Sequence, residues 1–245
     1  MNVAIIGGTG VESWPGAEVI EQREIETPYG EPSAPLVRAR VADTEVWFLS
    51  RHGLGHEIAP HRINYRANID AIAGLGCDTV VALNAVGIIG DATPVGGLAL
   101  PDQLIDYTWG RECTYLDGDR ESLDHLDFTE PFDGALRRAL IAAGAAAGIA
   151  VASTGVYGVT QGPRLETRAE VDRLERDGVT LIGMTAMPEA ALACERGLDY
   201  ACVALVVNAA AGRGDAPIHD DLVGSMASAR YQATELVRSF LRASR

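Results

Sequence analysis

The chain has 245 residues, 47% of them hydrophobic, with 34 Asp and Glu against 20 Lys and Arg for a formal net charge of -14. That is enough length and apolar content for one α/β domain over residues 1–245, and the acidic balance without clustered Lys or Arg excludes a nucleic-acid partner. No apolar run approaches the roughly 18 residues of a membrane span, no basic leader opens the chain, and the scattered Cys77, Cys113, Cys194 and Cys202 contain no C-x-x-C pair, so the expectation is a cytoplasmic protein with reduced thiols and neither membrane nor metal partner.

Val- and Ile-rich runs of strand length alternate with segments of helical period. NVAIIG at 2–7 predicts the first strand, which empties into a glycine-rich turn, and EVWFLS at 45–50 predicts the next. A helix follows over 61–74 and ends at Gly74, before the strand TVVALNAVG at 79–87. The next helix, 133–147, has Asp133 to cap its start and Gly148 beyond its end, and GIAVASTGVYGVT at 148–160 predicts one long strand. A helix over 167–177, a strand TLIGMT at 180–185, a helix over 188–196 with Pro188 in its first turn and a strand YACVALVVN at 200–208 come next. The last helix, 220–243, starts at Asp220 and Asp221 and ends among Arg238, Arg242 and Arg245, charges that complement its dipole. Near-continuous apolar runs suit strands covered on both faces, so the fold class is α/β with a mostly parallel sheet between helices.

The first turn, IIGGTGVES, raises the question of what it holds. Counted from Gly8, a dinucleotide fingerprint needs Gly or Ala where Ser13 stands, and Trp14, Pro15 and Gly16 do not continue a helix; the G-K-[ST] of a P-loop is missing too. What remains is a backbone-amide cradle with the Thr9 hydroxyl, sized for one small anion, or a bare tight turn without a ligand. FLSRHG places Arg51 and His52 at a predicted strand end, where α/β proteins bind ligands and where an arginine fork matches phosphate oxygens; a surface Arg beside a polar His is the other reading. In GMTAMPEA a strand ends at Met184 and Thr185 just before a helix, again aiming N–H groups and a hydroxyl past a strand terminus.

Taken in order, IIGGTG, ETPYGEPSAPL, RHG, HRINYRANIDAIAGLG, NAVG, QLIDYT, TQGPRLETRAEV, MTAMPEAALA and YACVALVVN resemble one family over nearly the whole chain: the trimeric purine nucleoside phosphorylases and methylthioadenosine phosphorylases. QLIDYTWGRECTY, TQGPRLET, RLERDG and VVNAAAG look most similar to its bacterial S-methyl-5'-thioinosine branch. The resemblance implies a three-layer fold of nucleoside phosphorylase type, a homotrimer, no cofactor, and inorganic phosphate as co-substrate. The implied reaction is pentosyl transfer: phosphate attacks the anomeric carbon of a 6-oxopurine nucleoside, foremost S-methyl-5'-thioinosine, releasing hypoxanthine and 5-methylthioribose 1-phosphate. Cleavage of methylthioadenosine, or of inosine and guanosine, is the alternative.

The resemblance also implies roles. Thr9, Arg51, His52, Asn84, Thr185 and the backbone N–H of Ala85 match the phosphate positions, with Asn84 standing where a hydroxyl residue is common. Met184 matches the residue against the ribose, and Leu165 lies among the nucleoside-binding positions. Glu166 matches the carboxylate that accepts N1–H of a 6-oxopurine, and Asn208 the amide that bonds O6 and N7 and so stabilises the leaving base. Adenine-type members carry Ser or Thr at the first of these positions, and Asp at the second and two residues later, where this chain has Asn208 and Ala210. His56, His219 and His125, the last reaching over from a neighbouring subunit, fall near the 5' pocket. On their own residues, Met184 also reads as core, Glu166 as an acidic first-turn residue, Asn208 as a turn cap and each His as a hydrogen-bonded imidazole.

Overall fold

The computed structural model describes residues 1–11, 14–116, 125–214 and 222–244. β1 (Val3–Gly7) lies between β4 (Thr44–Ser50) and β5 (Thr79–Ile88), and β5 carries β11 (Asp199–Ala209) along its length, all of these pairs parallel. Their side chains alternate between two apolar layers. Ile6, Val80, Ala82 and Ala204 face Ile69 and Ile72 of α1 (Tyr65–Gly74) and Ala190 of α4 (Ala186–Glu195). Ile5, Val81, Leu83 and Val203 face Leu140 of α2 (Gly134–Ala146) and Leu236, Val237 and Phe240 of α5 (Leu222–Ala243). The outcome is three layers, helices over both faces of a mixed, mostly parallel sheet.

Among the described residues the sheet has 11 strands. Its main path extends through the hairpin of β2 (Glu18–Arg23) and β3 (Leu36–Val41) on one side, and through β10 (Leu181–Gly183), β9 (Val156–Val159) and β7 (Gln103–Asp106) on the other. β6 (Leu98–Ala99) and β8 (Val151–Ala152) branch off β11. α3 (Arg168–Arg176) covers the far end with Val171 and Leu174 packed near Ile182.

Helix boundaries follow their caps. The Asp133 side chain accepts from Leu136 N–H, and Thr167 and Glu170 form a reciprocal capping box at the start of α3. The expected helix over 61–74 splits, because Asn64 accepts from Ala67 N–H and starts α1 at Tyr65, leaving a separate 3-10 turn at Pro60–Arg62. Met187 has extended angles, so regular helix begins at Pro188. The start expected at Asp220 and Asp221 lies outside the described residues.

The single strand expected over 148–160 is instead two. Arg137 donates to the Ser153 carbonyl (2.6 Å) and Gly155 N–H to Asp102 Oδ1 (2.8 Å), so side chains take the backbone groups between β8 and β9 and the two pieces pair with different neighbours. β2, β3, β6 and β7 carry no strand signal in the expectation. β2, EVIEQR, is almost wholly exposed, and β6 has only two residues.

The arrangement brings strand ends together. β1, β4, β5 and β11 run the same way, and β10 returns antiparallel along β5 with Ile182 opposite Gly87, carrying Met184 and Thr185 back toward Ala85. A crevice at the carboxyl ends of parallel strands is where this class of fold holds ligands.

Candidate functional site

A cavity of about 350 Å³ opens at these strand ends. Thr9, Arg51, His52, Ala85, Leu165, Glu166, Met184, Thr185 and Asn208, nine of the positions singled out in the sequence, all line it. Pro60, Leu222 and Met226 add apolar surface.

At one end lies a cluster of polar donors. Arg51 is fully buried: Nε and Nη2 donate to the two carboxylate oxygens of Glu189 (2.6 and 2.8 Å), and Nη1 to the Leu83 carbonyl (2.9 Å). Burial opposes its charge, yet the Glu189 carboxylate outweighs that and holds the guanidinium above its usual range. The sequence reading had no signal for Glu189, an acidic residue with 0% exposure on α4 whose other contact is the Tyr200 hydroxyl (2.8 Å). Gly8 makes room for this pair, since a β-carbon there would lie 2.6 Å from the Leu83 carbonyl oxygen and 2.7 Å from Arg51 Nη1.

His52 is neutral. Its Nδ1 lies 2.8 Å from the Ile58 carbonyl, an acceptor only, so Nδ1 carries the proton and Nε2 a lone pair. Burial first, then the nearby Arg51, push its pKa down to about 4, against the bond to Ile58. Thr9 Oγ1 is hydrogen-bonded to His56 Nε2 (2.9 Å), and His56 itself, expected near the 5' pocket, does not line the cavity.

Asn84 does not line the cavity, contrary to its expected place among the phosphate ligands. It is buried at 1% exposure, its Nδ2 donates to Thr185 Oγ1 (2.7 Å) and its Oδ1 accepts from Cys202 Sγ (3.4 Å). The physical reason is its strand phase: Ala85, the next residue, takes the cavity side of β5. Asn84 thereby fixes Thr185, whose hydroxyl accepts from the amide and keeps its own proton to donate. His125 is exposed and also lies away from the cavity, and His219 lies outside the described residues.

At the other end stand Glu166 and Asn208. Thr160 Oγ1 donates to Glu166 Oε1 (2.6 Å), so one carboxylate oxygen is pinned and the other keeps its acceptor capacity. Glu166 also borders an adjoining cavity of about 430 Å³. Asn208 follows an irregularity between Val206 and Asn208 in the pairing of β11 with β5, and such bulges re-aim side chains beside active sites. Its Nδ2 donates to the Ala209 carbonyl (2.7 Å). Opposite it stands Gly87, where a β-carbon would lie 3.0 Å from that nitrogen.

This geometry has counterparts. Residues 2–242 match the protein family described as the phosphorylase superfamily. The chain belongs to that superfamily. It is 50% identical over 214 residues, 87% of this chain and 86% of the relative, to a probable S-methyl-5'-thioinosine phosphorylase of Xanthomonas campestris. It is 41% identical to a 6-oxopurine nucleoside phosphorylase of Pyrococcus furiosus, over 96% of this chain and 90% of that one. A point mutant of the adenosine/methylthioadenosine phosphorylase of Schistosoma mansoni, solved in complex with methylthioadenosine, superposes with a TM-score of 0.92 at 31% identity, covering 100% of this chain and 91% of its own. The superfamily match and the solved relative agree with the layered sheet. Behind the lining stand supporting residues: Glu189 behind Arg51, Asn84 behind Thr185 and Thr160 behind Glu166. Of these only Asn84 drew notice in the sequence, and there as a ligand.

Proposed function

We propose that the protein is a phosphate-dependent phosphorylase of 6-oxopurine nucleosides, acting foremost on S-methyl-5'-thioinosine. The observation that carries this reading is the convergence of Glu166 and Asn208 on the same cavity that Thr9, Arg51, His52 and Thr185 line.

Breaking an N-glycosidic bond builds positive charge on the sugar and negative charge on the departing purine. Phosphate held at the donor cluster supplies the nucleophile, so no enzymic carboxylate has to attack as in a retaining glycosidase. Arg51 reaches the anion already paired with Glu189 and His52 is neutral, so the protein binds phosphate largely through dipoles and N–H groups. The anion then keeps the charge that faces the developing sugar cation. The lone pair on His52 Nε2 accepts the P–OH proton of monohydrogen phosphate.

At the purine, a 6-oxo base presents an N1–H donor and an O6 acceptor, and a 6-amino base the reverse. The unpinned Glu166 oxygen accepts N1–H, and the Asn208 amide donates to O6 or N7 and supports the leaving group as its charge grows. Adenine would set two acceptors against each other at Glu166, a mismatch worth several powers of ten in sites built on such pairs. Leu222 and Met226 give the cavity an apolar flank, and the Met226 sulfur lies 2.5 Å from where a β-carbon on Gly10 would stand, closing over the glycine turn. That flank suits a thioether better than a hydroxyl, which would need a partner.

A second reading, cleavage of methylthioadenosine, has the structural neighbour's bound ligand in its favour. Rates of base release from methylthioinosine, inosine and methylthioadenosine, with and without phosphate, separate the two. The expected order puts methylthioinosine first and shows no release without phosphate; faster turnover of methylthioadenosine would reverse the assignment. The assay is run on protein of measured sedimentation, since the family resemblance carries a homotrimer and an exposed His125 leaves that side chain open to a neighbouring subunit.

A further inference from the structure

Arg111, on the segment after β7, is half-buried and lines neither the cavity of the proposed reaction nor the adjoining one. Its guanidinium nevertheless joins the two segments that form the site. Nη1 donates to the carbonyls of Met184 (2.9 Å) and Met187 (2.6 Å), and Nη2 to those of Gln161 (2.9 Å) and Thr160 (3.4 Å). Nε donates to Gln161 Oε1 (3.3 Å) and Nη1 also reaches the Tyr65 hydroxyl (3.3 Å), while the guanidinium carbon stands 5.5 Å from the centre of the Tyr65 ring. Among the described residues no carboxylate pairs with it.

Both segments lie just past strand ends, where carbonyls have lost their ladder partners and need another donor. Residues 160–161 lead into Leu165 and Glu166, and residues 184–187 hold Met184 and Thr185 and lead into α4. One rigid fork of N–H donors spans the two segments; the compact ammonium of a lysine has three donors and no fixed plane, and cannot hold four carbonyls at once. The Thr160 hydroxyl that pins Glu166 belongs to a residue whose own carbonyl Arg111 holds.

We infer that Arg111 is a positioning residue that sets the separation between the base-reading carboxylate Glu166 and the strand end carrying Met184 and Thr185. Its action is through these groups and not on the substrate. The inference rests on the proposed base specificity for its kinetic consequence and on the geometry alone for its structural one, so the two can fail separately.

The test compares wild type with Arg111→Lys in two measurements. The first is the ratio of kcat/KM for methylthioinosine to that for methylthioadenosine, read in one sample so that any unfolded fraction cancels. A displacement on the order of 1 Å at a positioned group costs about 100-fold in rate, so the methylthioinosine rate should drop on that scale and the ratio by about tenfold. A ratio equal to wild type, with both rates lowered together, would assign Arg111 a merely structural role. The second is amide hydrogen exchange, which needs no substrate: exchange should quicken in residues 160–166 and 184–187 and not elsewhere. Unchanged exchange, or quickening spread over the whole chain, would overturn the inference whatever the substrate proves to be. Should Arg111→Lys fail to fold, Gln161→Ala, which removes the side-chain oxygen that accepts from both Arg111 Nε and Trp109 N–H, should shift the ratio the same way by a smaller amount; no shift would count against it.

Discussion

His52 shows how much one proton matters at this site. Shielded from water, it stays neutral even though its Nδ1–H bonds the Ile58 carbonyl, with its pKa pushed down to about 4 from the ordinary value near 6.5. For a base depressed in the folded state, the unfolded chain binds more protons between those two values. The contribution to stability is therefore complete above about pH 6.5 and lost as pH falls toward 4, to the extent of roughly 1–3 kcal/mol. Denaturation of wild type and His52→Gln across this range should show the wild-type advantage shrinking as pH falls, because glutamine does not titrate. A difference independent of pH would mean that His52 is not held neutral by the fold. The residue was legible in FLSRHG, but its protonation was not, since the burial that keeps it neutral and the Ile58 carbonyl that fixes its tautomer are both products of the fold.

At the scale of elements, β5 and β11 together deliver the Asn208 amide to the cavity, where the proposed function has it read the base. Asn208 sits opposite Gly87 after the bulge, and the missing side chain at Gly87 is what lets the amide lie close to the neighbouring strand. Gly87→Ala places a methyl 3.0 Å from Asn208 Nδ2, a contact the amide relieves by moving. Turnover should drop by about 10- to 100-fold while the melting temperature changes little, because the sheet itself accepts alanine. A variant with wild-type turnover would show that the amide position is not critical. The apolar strands β1, β5 and β11 were readable because burial on both faces leaves continuous runs. The β2 strand was not, because an exposed hairpin at the sheet edge has no apolar face to read. The break between β8 and β9 was hidden for another reason: Arg137 and Asp102 bond that backbone from far along the chain.

For the molecule as a whole, the expected site residues that line the cavity sit on or just past six strands, β1, β4, β5, β9, β10 and β11, and the motifs that carry them were visible one by one in the sequence. What it did not reveal is the layer behind them. Asn84 was expected as a phosphate ligand because it stands at a family phosphate position, yet strand alternation turns it inward onto Thr185. Glu189 drew no notice, although its carboxylate pairs with Arg51, the one arginine lining the cavity among the described residues. Thr160 read as the end of a strand, and its hydroxyl holds one oxygen of Glu166 and leaves the other free of it. That last bond makes the account testable at a single atom. In Glu166→Gln the Thr160 hydroxyl would hold the amide oxygen, turning the amide nitrogen, a donor, toward the purine edge. The kcat/KM ratio of methylthioinosine to methylthioadenosine should then fall by at least about tenfold from its wild-type value as the matched pairing at N1 is lost for one base and gained for the other. A ratio that stays at its wild-type value would contradict the assignment of Glu166 as the reader of the purine.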